Sequence, residues 1–232
     1  MKTLRPSPMS VYYQHTGQLP LASKLSLLAR RRMFEIFMEY FRPGPATSVL
    51  DVGVTSDASF AESNYFERLY PYPHRIVCVG TEDGSHLTQL YPGLRYLQVT
   101  PGQPLPFKAG DFDIVFSNAV LEHVGGTENQ RAFIGELCRV ASGFFITTPN
   151  RWFPVEPHTG VPLLHYSPRL FRSLARKTRF RYWAEEANLN LLSAGDLNRL
   201  FPSEAKPTIV KVRLAGVASN LVAVGRVAAG RP

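Results

Sequence analysis

Apolar residues recur at helical spacing in "SKLSLLARRRMFEIFMEYF", Ser23 to Phe41, and predict an amphipathic helix. "RPGPAT" breaks the chain after it. Short apolar runs then predict strands at "SVLDVG", "RIVCVG", "LRYLQV", "FDIVFSN" and "FFITTPN". Between them, "AESNYFERLY", "SHLTQLY" and "ENQRAFIGELCRVA" predict helices, the last with Gly143 as its stop. Arg151 to Pro168 is irregular and rich in aromatics, prolines and histidines. "RLFRSLARKTRF" predicts a basic helix, "SAGDLNRLF" a short one, and "TIVKVRLAG" and "SNLVAVGRV" two closing strands.

Apolar strands alternating with helices predict an α/β fold, a mostly parallel sheet covered on both faces. No more than three residues separate the last two strands, whereas a parallel crossover needs about a dozen. The expected architecture is a seven-stranded sheet with one antiparallel strand near Ser219–Arg226. One domain is expected over 1–232: a helical segment at 1–45, a strand–helix core at 46–150, an insertion at 151–190, and C-terminal strands at 191–232.

Composition narrows the class. Hydrophobic residues make up 44% and aromatics 12%, enough for a sizeable core. No apolar run reaches the ~18 residues of a membrane span. The start lacks the apolar stretch of a signal peptide, so a cytoplasmic protein is the expectation. Cys78 and Cys138 lie in apolar settings and read as packed thiols. Residues 1–150 balance 13 Lys/Arg against 13 Asp/Glu, while 151–232 carry 13 against 5. The whole net charge of +8 therefore sits in the last third. That excess is either a solvated face or an attraction for an anionic partner.

In such sheets ligands bind at the carboxyl ends of the strands. The first strand delivers Asp51 and Gly53 to that edge, and the second delivers "VGTEDGS", in which Glu82 suits the hydroxyl pair of a ribose. The fourth brings Asn118 and His123, and the fifth leads into Arg151. There is no HxxxH, no paired Cys and no carboxylate cluster at ligand spacing, so no metal is expected. G-x-G-x-x-G is missing, and no Tyr is followed by Lys four residues later, which disfavours a nicotinamide oxidoreductase.

"LPFKAGDFDIVFSNAVLEHV" resembles the stretch around the fourth strand of class I S-adenosylmethionine-dependent methyltransferases of the ubiquinone-biosynthesis type. "VLDVG", "VGTED" and "ELCRVASGFFITTPNRW" resemble further motifs of that family, in order, over roughly residues 45–155. "TPNRWFPVEPHTGVPLLHYSP" and "EEANLNLLS" are similar to a bacterial subgroup, some of it associated with surface-polysaccharide genes.

The resemblance implies a Rossmann-like fold and S-adenosylmethionine as cofactor, held by Asp51, Gly53, Thr55, Glu82 and Asn118, with 46–150 as the cofactor-binding core, 151–190 on the substrate side and 1–45 as a helical segment or lid. It departs from the family at two places. Thr55 and Asp57 stand where further glycines are expected, and Pro101 stands where an acid usually meets the adenine. A non-catalytic or cofactor-impaired binding protein on the same scaffold is the alternative.

For the chemistry, His123, His158 and Glu156 are the candidate acid–base residues. Arg151, Trp152, His165 and Tyr166 are the candidate acceptor contacts. The expected acceptor is a small molecule or a glycan- or lipid-linked one, methylated on oxygen. "SNAV" stands where nucleic-acid methyltransferases carry a "PPY"-like motif, which disfavours nucleic acid. Arg169, Arg172, Arg176 and Arg179 share one side of the basic helix, with Leu170, Phe171 and Leu174 on an adjoining face, and suggest contact with an anionic inner membrane surface. The chain is expected as a monomer or homodimer.

Overall fold

The computed structural model describes residues 20–57 and 63–228. Helix α1 (Pro20–Phe41) leads to β1 (Val49–Val52), the five-residue α2 (Tyr65–Leu69), β2 (Ile76–Gly80), the single-turn α3 (Leu87–Leu90) and β3 (Arg95–Gln98). Next come β4 (Phe112–Asn118), α4 (Thr127–Val140) and β5 (Ala141–Pro149). The chain ends in α5 (Pro168–Ala175), α6 (Ala194–Leu200), β6 (Thr208–Leu214) and β7 (Val217–Arg226).

All seven strands form one sheet, ordered β3-β2-β1-β4-β5-β7-β6. Pairings among β1 to β5 are parallel, and β7 runs antiparallel to both β5 and β6. The antiparallel strand expected near Ser219–Arg226 is β7. Its reversal is local: Ala215 and Gly216, both at positive φ, make the tight turn between β6 and β7.

Neighbouring strand residues point to opposite faces, so continuous apolar runs fill two cores. On one face Leu50, Val115, Phe144 and Leu221 pack with Ile134 and Leu137 of α4 and Leu197 and Leu200 of α6. On the other, Val49, Phe116, Phe145 and Val222 meet Met33, Phe37 and Phe41 of α1 and Phe66 of α2. A smaller cluster of Phe171, Ala175, Trp183, Ala184 and Leu189 anchors the segment between β5 and α6.

Several local expectations are corrected. Gly143 does not stop α4. Ala141 is already extended at φ −141, and Gly143 lies inside β5, paired with Ile114. A Cβ on Gly143 would stand 2.8 Å from the Phe41 ring, so glycine makes room for the last aromatic of α1. The basic helix ends at Ala175, because the amide and hydroxyl of Thr178 both donate to the Ala175 carbonyl. Arg179 therefore lies off α5 and stacks over Phe180 at 4.9 Å. The helix expected over 61–70 is seen only from Tyr65, after Asn64 at φ 48; residues 61 and 62 lie outside the described residues. The described part of the 1–45 segment, α1, is a core element. Both cysteines are buried and free.

Candidate active site

The strand order reverses between β1 and β4, and this is where a crevice opens at the carboxyl ends. A cavity of about 340 Å³ lies there. Asp51, Gly53, Thr55, Glu82, Asn118 and His123 all line it, so six candidates scattered over the sequence are brought together. The turn holding Pro101 contributes nothing to its wall.

Gly53 follows β1 at φ +97, and a Cβ there would overlap Val120 Cγ2 at 2.2 Å. The position admits only glycine without rearrangement. Beyond it the missing glycines are replaced by side-chain bonds. The Thr55 amide donates to Asn64 Oδ1 at 3.3 Å, and Asn64 Nδ2 donates back to the Thr55 carbonyl at 3.0 Å. The Asp57 amide donates to Thr55 Oγ1, and the Ser56 hydroxyl to Glu82 Oε2 at 2.5 Å. The amides of Gly53 and Val54 are held by the Val79 carbonyl.

Asp51 and Glu67 lie buried at this wall, and burial followed by the adjacent Glu67 carboxylate pushes Asp51 well above the usual carboxylate range. Asn118 Oδ1 accepts from Thr147 Oγ1 at 2.7 Å, which fixes the amide at the end of β4. Arg30 of α1 also reaches the cavity, 5.9 Å over the Tyr65 ring. Its Nε is buried without a hydrogen-bond partner. A cation with an unsatisfied donor, a carboxylate suited to a diol and a glycine turn are the parts a cationic, carboxylate-bearing nucleoside needs.

His123 sits in a 3₁₀ turn, with Nδ1 2.6 Å from the Asn188 carbonyl. Burial, then the neighbouring His158, hold it down to about 3, so its imidazole is neutral. Its ring lies 4.9 Å from that of His158 and 5.7 Å from Trp183.

His158 and Glu156 do not line the cavity; both are buried behind it. His158 Nδ1 stands 2.5 Å from Glu156 Oε1. Burial alone would raise Glu156, but His158 and the bonds from His158 and Thr159 bring it to about 2. Burial also opposes charge on His158, and Glu156 outweighs it, so the pair is ionic. Glu122 is fully buried, and burial lifts it to about 7 against the pull of His158.

Arg151, Trp152, His165 and Tyr166 form a separate cluster outside the cavity wall. Arg151 lies over the Trp152 ring at 5.2 Å, and the Tyr166 hydroxyl donates to the Trp152 carbonyl at 2.9 Å. His165 is buried against the Phe153 carbonyl. The wall next to His123 is made instead by Tyr182, Trp183 and Asn188. Neither these nor Arg30 were among the sequence candidates. The one signal for them is the aromatic pair in "RFRYWAEE", which reads equally well as core.

Residues 51–146 match a family model described as "Methyltransferase domain". No curated protein matches the chain. Among solved structures, the PH0226 protein from Pyrococcus horikoshii OT3 is similar at TM-score 0.59 and 12% identity, over 94% of this chain and 99% of that one. Magnesium protoporphyrin IX methyltransferase from Synechocystis PCC 6803, solved with bound SAH, gives 0.55 and 15% over 90% and 89%. The N-methyltransferase NodS from Bradyrhizobium japonicum WM9 gives 0.53 and 12% over 86% and 96%. At these identities the likeness is one of fold.

Proposed function

We propose that this chain, whose residues 51–146 match a family model described as "Methyltransferase domain", is a class I S-adenosylmethionine-dependent methyltransferase that transfers a methyl group to an oxygen of a small or glycan- or lipid-linked acceptor. The observation that carries the reading is the convergence of Gly53, Glu82, Asn118 and Arg30 on one cavity at the switch point of the sheet. The cofactor is S-adenosylmethionine, which supplies a methyl already activated on sulfonium. The protein's part is to bind, align and exclude water.

Glu82 takes the ribose hydroxyls. The glycine-rich turns of the family offer backbone amides at this edge, but here those of Gly53, Val54 and Thr55 are already engaged. Arg30 takes over the anionic end, and its Nε gains the partner it lacks. His123, Tyr182, Trp183 and Asn188 receive the acceptor. Among the described residues, that wall holds a neutral imidazole, which suits a hydroxyl, and no carboxylate to pair with an ammonium.

Titration calorimetry with S-adenosylmethionine tests this. Glu82→Ala and Arg30→Gln should each weaken binding by about 1–3 kcal/mol. Affinity should also rise with pH as it passes upward through the raised range in which Asp51 titrates, with release of a proton. In the free protein burial and then Glu67 push the Asp51 carboxyl well above the usual carboxylate range, and a cation bound beside it would favour the ionised form, so binding strengthens as protons become scarce. Tyr65 and Glu67 of α2 and Cys78 of β2 face the same group, and Arg30 of α1 lines the same cavity. Unchanged affinity in both variants rejects the assignment. One observation favours a cofactor-impaired binding protein instead: the Asn64 clamp leaves the turn few donors. That reading wins if no binding is seen at millimolar cofactor.

An acceptor at an anionic membrane surface extends the proposal. Leu170 and Leu174 are exposed on α5 beside Arg169, Arg172 and Arg176, and exposed Leu163 and Trp152 lie in the preceding loop. Arg172 and Arg176 also pair with Glu186 at 3.1 Å and Glu185 at 3.2 Å, which tempers their pull. Among the described residues no helix is long and apolar enough to cross a membrane. The chain should sediment with anionic liposomes at low salt and cease to when Arg169, Arg172, Arg176 and Arg179 become Gln. Equal sedimentation of both proteins excludes the surface role.

A further inference from the structure

The geometry points to a divalent transition-metal site, zinc its first choice, formed by Glu122, His123 and His158 behind the cavity wall. One ligand atom from each lies within 4.8 Å of the other two. His123 Nε2 and Glu122 Oε1 stand 3.8 Å apart, near the about 3.4 Å that separates donors around a tetrahedral zinc ion. Two imidazoles and a carboxylate are a donor set such ions take, with room for a fourth ligand.

Three further observations point to an ion. Glu122 is fully buried, and its Oε1 has no hydrogen-bond partner, while Oε2 accepts from Thr148 at 3.0 Å. An unsatisfied carboxylate oxygen in the interior is costly, and a cation is the ligand that relieves it. Each histidine also has an acceptor at Nδ1: the Asn188 carbonyl at 2.6 Å for His123, and Glu156 Oε1 at 2.5 Å for His158. With Nδ1–H donated in this way, Nε2 is the nitrogen that ligates. This is the outer shell of metal-bound histidine. Trp183, 4.6 Å from His158 and 5.7 Å from His123, closes the apolar side.

The absence of a recognisable spacing in the sequence has a simple cause. Glu122 and His123 are adjacent on one turn, and His158 arrives from a loop 35 residues on. His123 also lines the cavity, so an ion there would take over from the imidazole as partner of an acceptor oxygen. That consequence rests on the methyl-transfer reading; the binding test does not.

The test is cobalt(II) titration of the full chain after chelator treatment. One ion per chain is expected, with visible absorption of a tetrahedral N/O site, and zinc should displace it. Glu122→Gln and His158→Gln should each weaken uptake more than about 100-fold, and Glu156→Gln about 10-fold, in variants whose far-UV circular dichroism is unchanged. Should a variant fail to fold, X-ray absorption of the wild-type zinc complex decides by itself: two imidazoles and an oxygen support the site. No saturable uptake at micromolar cobalt overturns it, as does uptake indifferent to the variants. A thiolate-to-cobalt band in the near ultraviolet also overturns it, because it puts the ion at the other cluster of candidate ligands, Asp51, Glu67 and Cys78.

Discussion

Phe37→Ala is expected to destabilise the chain by about 3–5 kcal/mol, read as a lower urea midpoint at unchanged slope. Phe37 has no exposed surface. Its ring meets Phe66 at 5.0 Å, Phe41 at 5.3 Å, Phe145 at 5.5 Å, Phe116 at 5.9 Å and Tyr70 at 6.1 Å, mostly edge to face. Truncation removes one member from each of these pairs and leaves a cavity that rigid neighbours cannot fill. Phe37→Leu, which keeps most of the volume, should cost less than half as much. The same change reaches function, because Arg30 lies seven residues earlier on the helix that Phe37 docks. A loss under about 1 kcal/mol would mean that α1 is a detachable lid rather than a layer of the core.

That helix shows what the sequence does and does not disclose. Its periodicity identifies it, and the continuous apolar runs of β1, β2, β4 and β5 identify a sheet covered on both faces. The reversal into β7 is also legible, because so short a connection allows nothing else. Gly143 was misleading, since a glycine after a helical pattern reads as a stop. Its real constraint is the Phe41 ring, packed against it from a residue 102 positions earlier. The strand-end rule puts Gly53, Glu82 and Asn118 at the crevice, where they line the cavity, because their place follows from the backbone alone. Arg30, Tyr182, Trp183 and Asn188 reach the cavity only through tertiary packing, and no local pattern tells them from core or surface residues. Asn64 is the clearest case: in sequence it is one polar residue before a helix, and in the fold it clamps the turn whose glycines are missing.

The Glu156–His158 pair bears the second large effect. Glu156→Ala is expected to cost about 3–5 kcal/mol, because it leaves a buried imidazole whose charge has lost its counterpart. It also removes the acceptor of four hydrogen bonds. Oε1 takes the amide and Nδ1 of His158, and Oε2 takes the amide and hydroxyl of Thr159 at 2.7 Å each. These bonds fold the loop after β5 onto itself, and Trp183 rests on the His158 ring. Glu156→Gln keeps one acceptor and the shape, so it should lose about 1–3 kcal/mol, with the amide nitrogen now facing a donor. Hydrogen exchange should show the loss concentrated in residues 151–190, while the strands β1 and β4 stay protected. The two roles proposed for Glu156 separate here. A variant of unchanged stability that no longer turns over would make Glu156 a catalytic group despite its burial, whereas loosened exchange around Trp183 with S-adenosylmethionine affinity retained marks it as the post that holds the acceptor wall in place.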